Sequence, residues 1–245
     1  MKLIKLGAID STNDFLKALA AQDELHNFTV VTAENQTKGK GQIGAKWISE
    51  AGKNLIMSVL VKDFLNDNEK VFDMSVIVSL AVIETLNELE IPDLSIKWPN
   101  DIMSYNKKIG GILIENTIKS DGRIVSVVGL GLNVNQMNFE HLPNASSLAI
   151  ISGNSFDKDV FPELIVQKIQ HIIASWKINS TDFWGKYFNS LFKKGVPVPF
   201  KNTENQNFMG IIQGVSSVGK LQVLLEDDSV SEFDIKEIQM LYQKG

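Results

Sequence analysis

The centre of the chain reads Lys107-Lys108-Ile109-Gly110-Gly111-Ile112-Leu113-Ile114-Glu115, and a second apolar run follows at residues 124–134. Both runs are typical of buried strands, and the pair Asp121-Gly122 between them is a hairpin signal. Two glycines interrupt each run, the second at Gly129 and Gly131. Glycine weakens a strand unless a ligand or another backbone comes close to it. The pattern therefore predicts paired strands with a bound group against bare backbone, or else a β-bulge or close strand packing at these positions.

Further strand and helix patterns extend on both sides of this pair. We predict strands at residues 2–6, 28–33, 55–61 and 94–98. Amphipathic helices are predicted over 11–22, 71–89, 158–175 and 181–192, and Ser11 with Asp14 has capping-box spacing. From residue 196, short strands at 198–200, 208–215, 221–225 and 230–233 alternate with turns, which is typical of a small β-barrel. We therefore predict two domains, residues 1–194 and 195–245.

The composition excludes several classes of function. The 245 residues are 44% apolar, with 24 basic and 29 acidic side chains and a net charge of −5, which argues against a dedicated nucleic-acid binder. Cysteine is absent, which excludes disulfides and thiolate chemistry. The three histidines lie far apart in sequence, so a metal site or a His-based triad is not expected. We see no signal peptide or membrane span, and we expect a cytoplasmic protein that binds no membrane.

Residues 36–53 have neither helical nor strand periodicity, and they contain Gly39-Lys40-Gly41-Gln42-Ile43-Gly44, which matches G-x-G-x-x-G. A dinucleotide site needs a helix directly after the last glycine, and a Walker A loop needs Lys-Ser/Thr there. Trp47 and a strand follow instead, so neither motif fits. Two interpretations remain open, an anion-binding loop between strands and a mobile surface loop.

A third segment, Lys97-Trp98-Pro99-Asn100-Asp101, places a cation, a large ring, a rigid turn and a carboxylate within five residues. Alone, it is typical of an edge strand that ends in a turn. Together with the two glycine-bearing strands and the loop, however, it forms an ordered set of motifs.

In chain order, this set resembles the biotin–protein ligases: Ser11-Thr12-Asn13, then residues 34–41 and Trp47, then residues 97–101, 108–115 and 129–133. The resemblance covers residues 1 to about 190. It implies an α+β fold, a mixed β-sheet flanked by helices and similar to class II aminoacyl-tRNA synthetase catalytic domains, followed by a small SH3-like β-barrel. The Ser-Thr-Asn motif begins at residue 11, so we expect the ligase-only type without an N-terminal DNA-binding domain.

The resemblance also implies the chemistry: biotin and ATP form biotinyl-5'-AMP, and a lysine of the biotin carboxyl carrier protein of acetyl-CoA carboxylase, or of another biotin-accepting domain, then takes the biotin. Mg²⁺ would accompany ATP, with ligands left unassigned, and a homodimer is possible. The implied catalytic residues are Lys108, Asp101 and Lys40. The implied biotin site comprises Ser11, Thr12, Asn13, Gln36, Lys40, Gly41, Gln42, Lys108 and Gly111. The implied ATP site comprises Lys40, Trp47, Asn100, Lys108 and Asn133.

The glycine-containing loop departs from the best-known bacterial pattern of this family, Gly-Arg-Gly-Arg-Arg-Gly. Lys40 keeps a charge but not the guanidinium fork, and Gln42 has no charge. Adenylate binding is therefore expected to be weaker or differently arranged. Two other functions stay open: a lipoate–protein ligase, which the polar Ser-Thr-Asn and Gln36 set disfavours, and a non-catalytic binding module, which the lysines disfavour.

Overall fold

The computed structural model describes residues 1–22, 24–65, 70–120 and 122–242. Asp121 of the predicted hairpin turn lies outside these residues, as do residues 243–245 of the predicted second domain.

A seven-stranded mixed sheet forms the centre of the fold, in the order β1-β2-β3-β7-β6-β5-β4. Only β1 and β2 pair in parallel among these neighbours in the described residues. The predicted α+β class with a mixed sheet is therefore confirmed. The strands are β1 (Leu3–Ile9), β2 (Val30–Gln36), β3 (Leu55–Val61), β4 (Leu94–Lys97), β5 (Asp101–Ser104), β6 (Lys107–Ile118) and β7 (Ile124–Leu132).

Helices cover both faces of this sheet. Helix α1 (Thr12–Gln22) buries Leu16 on one face, in a small cluster with Val31, Leu60 and Val127. On the other face, α2 (Val71–Glu88) and α4 (Phe161–Asn189) contribute to the main core. Strand β3 is consequently buried along its whole length, as its sequence predicts, in which Ser58 is the one polar residue.

Two helix predictions change in detail. The predicted helices at 158–175 and 181–192 form one element, α4, interrupted by non-helical dihedral angles at Asn179 (φ −117°, ψ 16°). The short helix α3 (Leu148–Ser152) and strand β5 were not predicted. Both are too short for a hydrophobic period to be visible in the sequence.

The C-terminal residues form a second sheet of five antiparallel strands, in the order β11-β10-β9-β8-β12. Its strands are β8 (Pro197–Asn202), β9 (Asn207–Val215), β10 (Leu221–Leu224), β11 (Val230–Phe233) and β12 (Ile238–Met240). The first four match the predicted strands, whereas β12 was not predicted. In the described residues, β11 and β12 are the two ends of the order, so a closed barrel is not confirmed.

This second sheet packs directly against the first. The indole N–H of Trp98 donates to the Gly219 carbonyl at 2.9 Å. A Cβ on Gly219 would lie 2.4 Å from the ring of Phe72, so the bare backbone is needed for the approach of α2. Buried residues of both sheets belong to one continuous core.

Within the described residues, no helix is both long and apolar enough to cross a membrane.

We expect Trp98→Phe to lower the free energy of unfolding by about 1–3 kcal/mol, because it leaves the buried Gly219 carbonyl without its donor. Urea denaturation followed by circular dichroism measures this change. The control is Val218→Ala in the same turn, where Val218 is exposed. We expect the control to stay within about 0.5 kcal/mol of the parent protein, and a similarly small change for Trp98→Phe would contradict the role of this contact.

Candidate functional site

A cavity of about 270 Å³ lies over the centre of the mixed sheet. Its walls come from the start of α1, the loop after β2, the turn before β5, and strands β3, β6 and β7. All of the predicted site residues except Asn133 line it: Ser11, Thr12, Asn13, Gln36, Lys40, Gly41, Gln42, Trp47, Asn100, Asp101, Lys108 and Gly111. Residues that are almost 100 positions apart in sequence therefore meet at one place.

One end of the cavity is lined by uncharged polar side chains at the start of α1, which belong to a hydrogen-bond network. The backbone N–H and the hydroxyl of Thr12 donate to Gln36 Oε1, at 2.8 and 3.1 Å. The Ser58 hydroxyl lies 2.8 Å from Thr12 Oγ1 and 2.6 Å from Asn13 Oδ1. Asn13 Nδ2 donates to Glu115 Oε2 at 2.8 Å. Ser58 and Glu115 were not predicted as site residues, because nothing in their local sequence distinguishes them.

Gly129 makes this network possible. A Cβ at Gly129 would lie 2.5 Å from Asn13 Oδ1, a separation that is sterically forbidden. Residue 129 pairs with Leu113 across β6 and β7, and Asn13 also lies 3.3 Å from the Leu113 carbonyl oxygen through its Nδ2. The glycine thus leaves space on the sheet for the Asn13 side chain.

The other end of the cavity is charged. Lys108 Nζ lies 2.5 Å from Asp101 Oδ1, and Lys97 Nζ lies 3.4 Å from Asp101 Oδ2. The Asp101 side chain is only 15% exposed. Asp101, on the neighbouring strand β5, therefore holds the Lys108 ammonium at the cavity wall. Among the residues that line the cavity, Asp101 supplies the only carboxylate.

A β-bulge orients Lys108. Ile102 pairs with Gly110 but Met103 pairs with Lys108, so the register between β5 and β6 shifts by one residue. Bulges commonly redirect a side chain next to a functional site. The extra residue is Ile109, so the β-bulge lies next to the two glycines, which themselves keep a regular pairing with Ile102 and Asp101.

The loop after β2 folds into a short hairpin over the cavity; we call residues 39–47 the glycine loop. The Trp47 N–H donates to the Gly39 carbonyl at 3.0 Å, and the Gly41 N–H donates to the Ala45 carbonyl at 2.7 Å. At its tip, Ile43 has a φ of 47° and Gly44 a φ of 77°. The loop therefore has a defined backbone geometry of its own.

Trp47 occupies the space above the glycines of β6 and β7. Gly111 and Gly131 are directly paired, and a Cβ at Gly131 would lie 2.3 Å from Trp47 Cε2. A Cβ at Gly111 would lie 3.3 Å from Trp47 Cζ3, and the ring centroid is 5.7 Å from Lys108 Nζ. The bare backbone of these strands is thus covered by the indole of the chain itself, and a bound group at the glycines stays a prediction. Two buried polar atoms here, Trp47 Nε1 and Gln42 Oε1, have no hydrogen-bond partner within the described residues.

Asn133 is not brought into the cavity. Its side chain is buried and donates to the Ser146 carbonyl at 3.0 Å. Residues 144 and 146 in turn hydrogen-bond the backbone of Lys108. Asn133 therefore supports the segment that holds Lys108 in place.

The described residues contain no group of three or more His, Cys, Asp or Glu side chains arranged to hold a metal ion. A magnesium ion brought in with nucleotide phosphates needs few protein ligands.

Comparison with known proteins shows which family this chain belongs to. Residues 6–135 match the model of the biotin/lipoate A/B protein ligase family. The chain is 28% identical over 231 residues to the bifunctional ligase/repressor BirA of Salmonella typhimurium, covering 92% of this chain and 69% of that protein. It is 28% identical over 214 residues to the biotin–[acetyl-CoA-carboxylase] ligase of Mycobacterium tuberculosis, covering 86% and 79%. The structure of the Aquifex aeolicus biotin protein ligase in complex with biotin and ATP superposes with a TM-score of 0.79 at 29% identity, covering 99% of both chains.

We expect Gly131→Ala to expel Trp47 from its position on the sheet, because the new methyl group and the indole cannot share that space. The tryptophan emission of the variant should shift to longer wavelength as the ring enters water. Gly185→Ala in α4 is the matched control, since its Cβ would meet no atom within 4 Å. An unchanged emission spectrum for Gly131→Ala would contradict the contact. In a Trp47→Phe background, Gly131→Ala should cause no shift.

Proposed function

Because the chain belongs to the biotin/lipoate A/B protein ligase family, we propose that it is an ATP-dependent biotin–protein ligase. One observation carries the proposal: a single cavity joins an uncharged polar end, at Thr12 and Asn13, to a lysine held by a carboxylate, at Lys108 and Asp101. Biotin has two ends that complement these. Its ureido ring has donors and an acceptor that suit the polar end, and its carboxylate suits the lysine.

In the first step, the biotin carboxylate oxygen would attack the α-phosphorus of ATP. A new P–O bond forms, the bond to the β-phosphate oxygen breaks, and pyrophosphate leaves. Lys108, oriented by Asp101, would stabilise the negative charge on the carboxylate and α-phosphate oxygens. The backbone of Gly41, on the glycine loop, would face the same oxygens, and Lys40 would reach them from the same loop when its Nζ leaves Asp14, with which it pairs at 2.6 Å. The protein thus contributes positioning and charge and needs no covalent nucleophile.

In the second step, a lysine ε-amine of the acceptor protein would attack the acyl carbon of biotinyl-5'-AMP. The amide bond forms as the bond to the AMP oxygen breaks, and the amine loses a proton. The glycine loop over the cavity would keep water from the mixed anhydride until the acceptor arrives. A magnesium ion would accompany the ATP phosphates.

The acceptor we propose is the biotin carboxyl carrier protein of acetyl-CoA carboxylase or a similar biotin-accepting domain. We also propose that residues 195–245 form the small SH3-like domain that the sequence predicts. Support for that boundary comes from the five antiparallel strands that follow Gly195.

Substrate-dependent exchange between ATP and labelled pyrophosphate tests the proposal. We expect exchange with biotin and none above background with lipoate, since the polar end at Thr12 and Asn13 suits a ureido group. Exchange with lipoate alone would overturn the biotin assignment. Binding of biotin without exchange would indicate a non-catalytic binding module instead.

We expect Lys108→Ala to lower the rate of adenylate formation by about 10²–10³-fold, the usual effect of removing a group that stabilises the transition-state charge. Quenched-flow measurement of biotinyl-5'-AMP gives this rate directly. Lys107→Ala is the matched control, because Lys107 is the preceding lysine of β6 and its Nζ donates to the Pro143 carbonyl outside the cavity. Normal adenylation by Lys108→Ala would remove Lys108 from the mechanism.

A further inference from the structure

A row of alternating charges connects the glycine loop to the polar end of the cavity. Lys40 Nζ lies 2.6 Å from Asp14 Oδ2, and Lys17 Nζ lies 3.3 Å from Asp14 Oδ1. Lys17 Nζ also lies 2.5 Å from Glu115 Oε1. Glu115 accepts from Asn13 through its other oxygen, at 2.8 Å. The row thus starts on the loop and ends on a side chain of the cavity wall.

The backbone of Asp14 is held at the start of α1, whereas its carboxylate is held by the two lysines. Asp14 lies in the first turn of α1, where its backbone N–H donates to Ser11 Oγ at 3.3 Å. The capping box predicted for Ser11 and Asp14 is therefore half formed. The Asp14 carboxylate does not return to the helix start but points to the glycine loop, where it meets Lys40.

Backbone pairing connects Lys40 to the rest of the glycine loop. Lys40 forms an isolated bridge with Lys46, next to the backbone hydrogen bond between Trp47 and Gly39. Because these bonds join the two arms of the loop, holding Lys40 also restrains Trp47 and Gln42. The position of Lys40 therefore affects most of the glycine loop, which covers the cavity.

The protonation equilibrium of Asp14 agrees with this arrangement. Partial burial alone would raise the pKa of Asp14, but hydrogen bonds from Lys40 and Lys17 outweigh it, and the pKa lies below its usual value. The carboxylate is consequently charged near neutral pH and available to hold both lysines.

We propose that Asp14 is a positioning residue that holds the glycine loop over the cavity through Lys40, with Lys17 and Glu115 fixing Asp14 to β6. The effect of Asp14 on catalysis rests on the proposed function. When Asp14 holds the glycine loop over the cavity, the loop retains biotin and its adenylate. Asp14 itself does not line the cavity, so it acts through Lys40.

Two measurements on the full chain test this role. The first is the rate of tryptic cleavage after Lys38, Lys40 and Lys46 in the ligand-free protein, followed by mass spectrometry. We expect Asp14→Asn to raise this rate by about threefold, the effect of losing an exposed ion pair. The second is steady-state adenylation, where we expect KM for biotin to rise by a similar factor while kcat changes by less than about twofold, since Asp14 does not line the cavity and Lys108, which stabilises the reacting charge, keeps its own partner Asp101.

Asp159→Asn is the matched control. Asp159 also bridges two lysines on the surface, at 2.7 Å from Lys5 Nζ and 3.2 Å from Lys158 Nζ, but it is not a cavity residue. We expect this control to match the parent protein in both measurements. Asp14→Glu keeps the charge, and it should restore both values most of the way.

Unchanged cleavage in Asp14→Asn would overturn the proposal, and so would faster cleavage with an unchanged KM. A parent protein without adenylation activity would instead refute the proposed function. The cleavage comparison needs no substrate, so the two failures are distinguishable.

Discussion

The missing side chains at Gly111, Gly129 and Gly131 are the constraint on which the site depends. The glycines lie on the paired strands β6 and β7, and they leave space above a sheet that is otherwise apolar. Asn13 fills this space beside Gly129, and Trp47 fills it above Gly131. A Cβ at Gly129 would force α1 to move away, and a Cβ at Gly131 would force the glycine loop to move away. The glycines of β6 and β7 thus allow the start of α1 and the glycine loop to meet above the sheet.

Lys108 shows how backbone irregularity and side-chain pairing combine. The bulge in β6 directs the lysine to the cavity, and Asp101 on β5 fixes its ammonium. Behind it, Asn133 and residues 144–146 hold the lysine backbone. A lysine is a flexible point charge and carries substantial rotamer entropy. Contacts on three sides therefore place the charge before any substrate binds, which is the condition for electrostatic catalysis.

Much of the fold follows from the sequence, because β3, β6, β7 and α2 are long enough to show their hydrophobic period. The local sequence does not predict β5, α3 or β12. These elements are short, and they form through contacts with partners distant in sequence. The motifs located the cavity residues, but no local pattern identified the side chain above the glycines as Trp47, or placed Asn133 against the Ser146 carbonyl rather than in the cavity. Lys236 Nζ, for example, donates to the Ile43 carbonyl at 2.7 Å across 193 residues. Contacts of this kind are set by the tertiary fold alone.

The composition of the glycine loop bears on how firmly the loop can be held. With Lys40 and Gln42 where the resembled pattern has arginines, the loop has no bidentate fork to grip a phosphate. The structure instead distributes its contacts among the Asp14 carboxylate, the Lys236 ammonium and the surface under Trp47. An exposed ion pair contributes about 0–1 kcal/mol, so the pair between Lys40 and Asp14 does not lock the loop alone. A cover assembled from several weak contacts can close over a labile intermediate and still open on the timescale of substrate exchange. In the proposed function, the loop would therefore combine retention with release by adding several contributions rather than by relying on one strong bond.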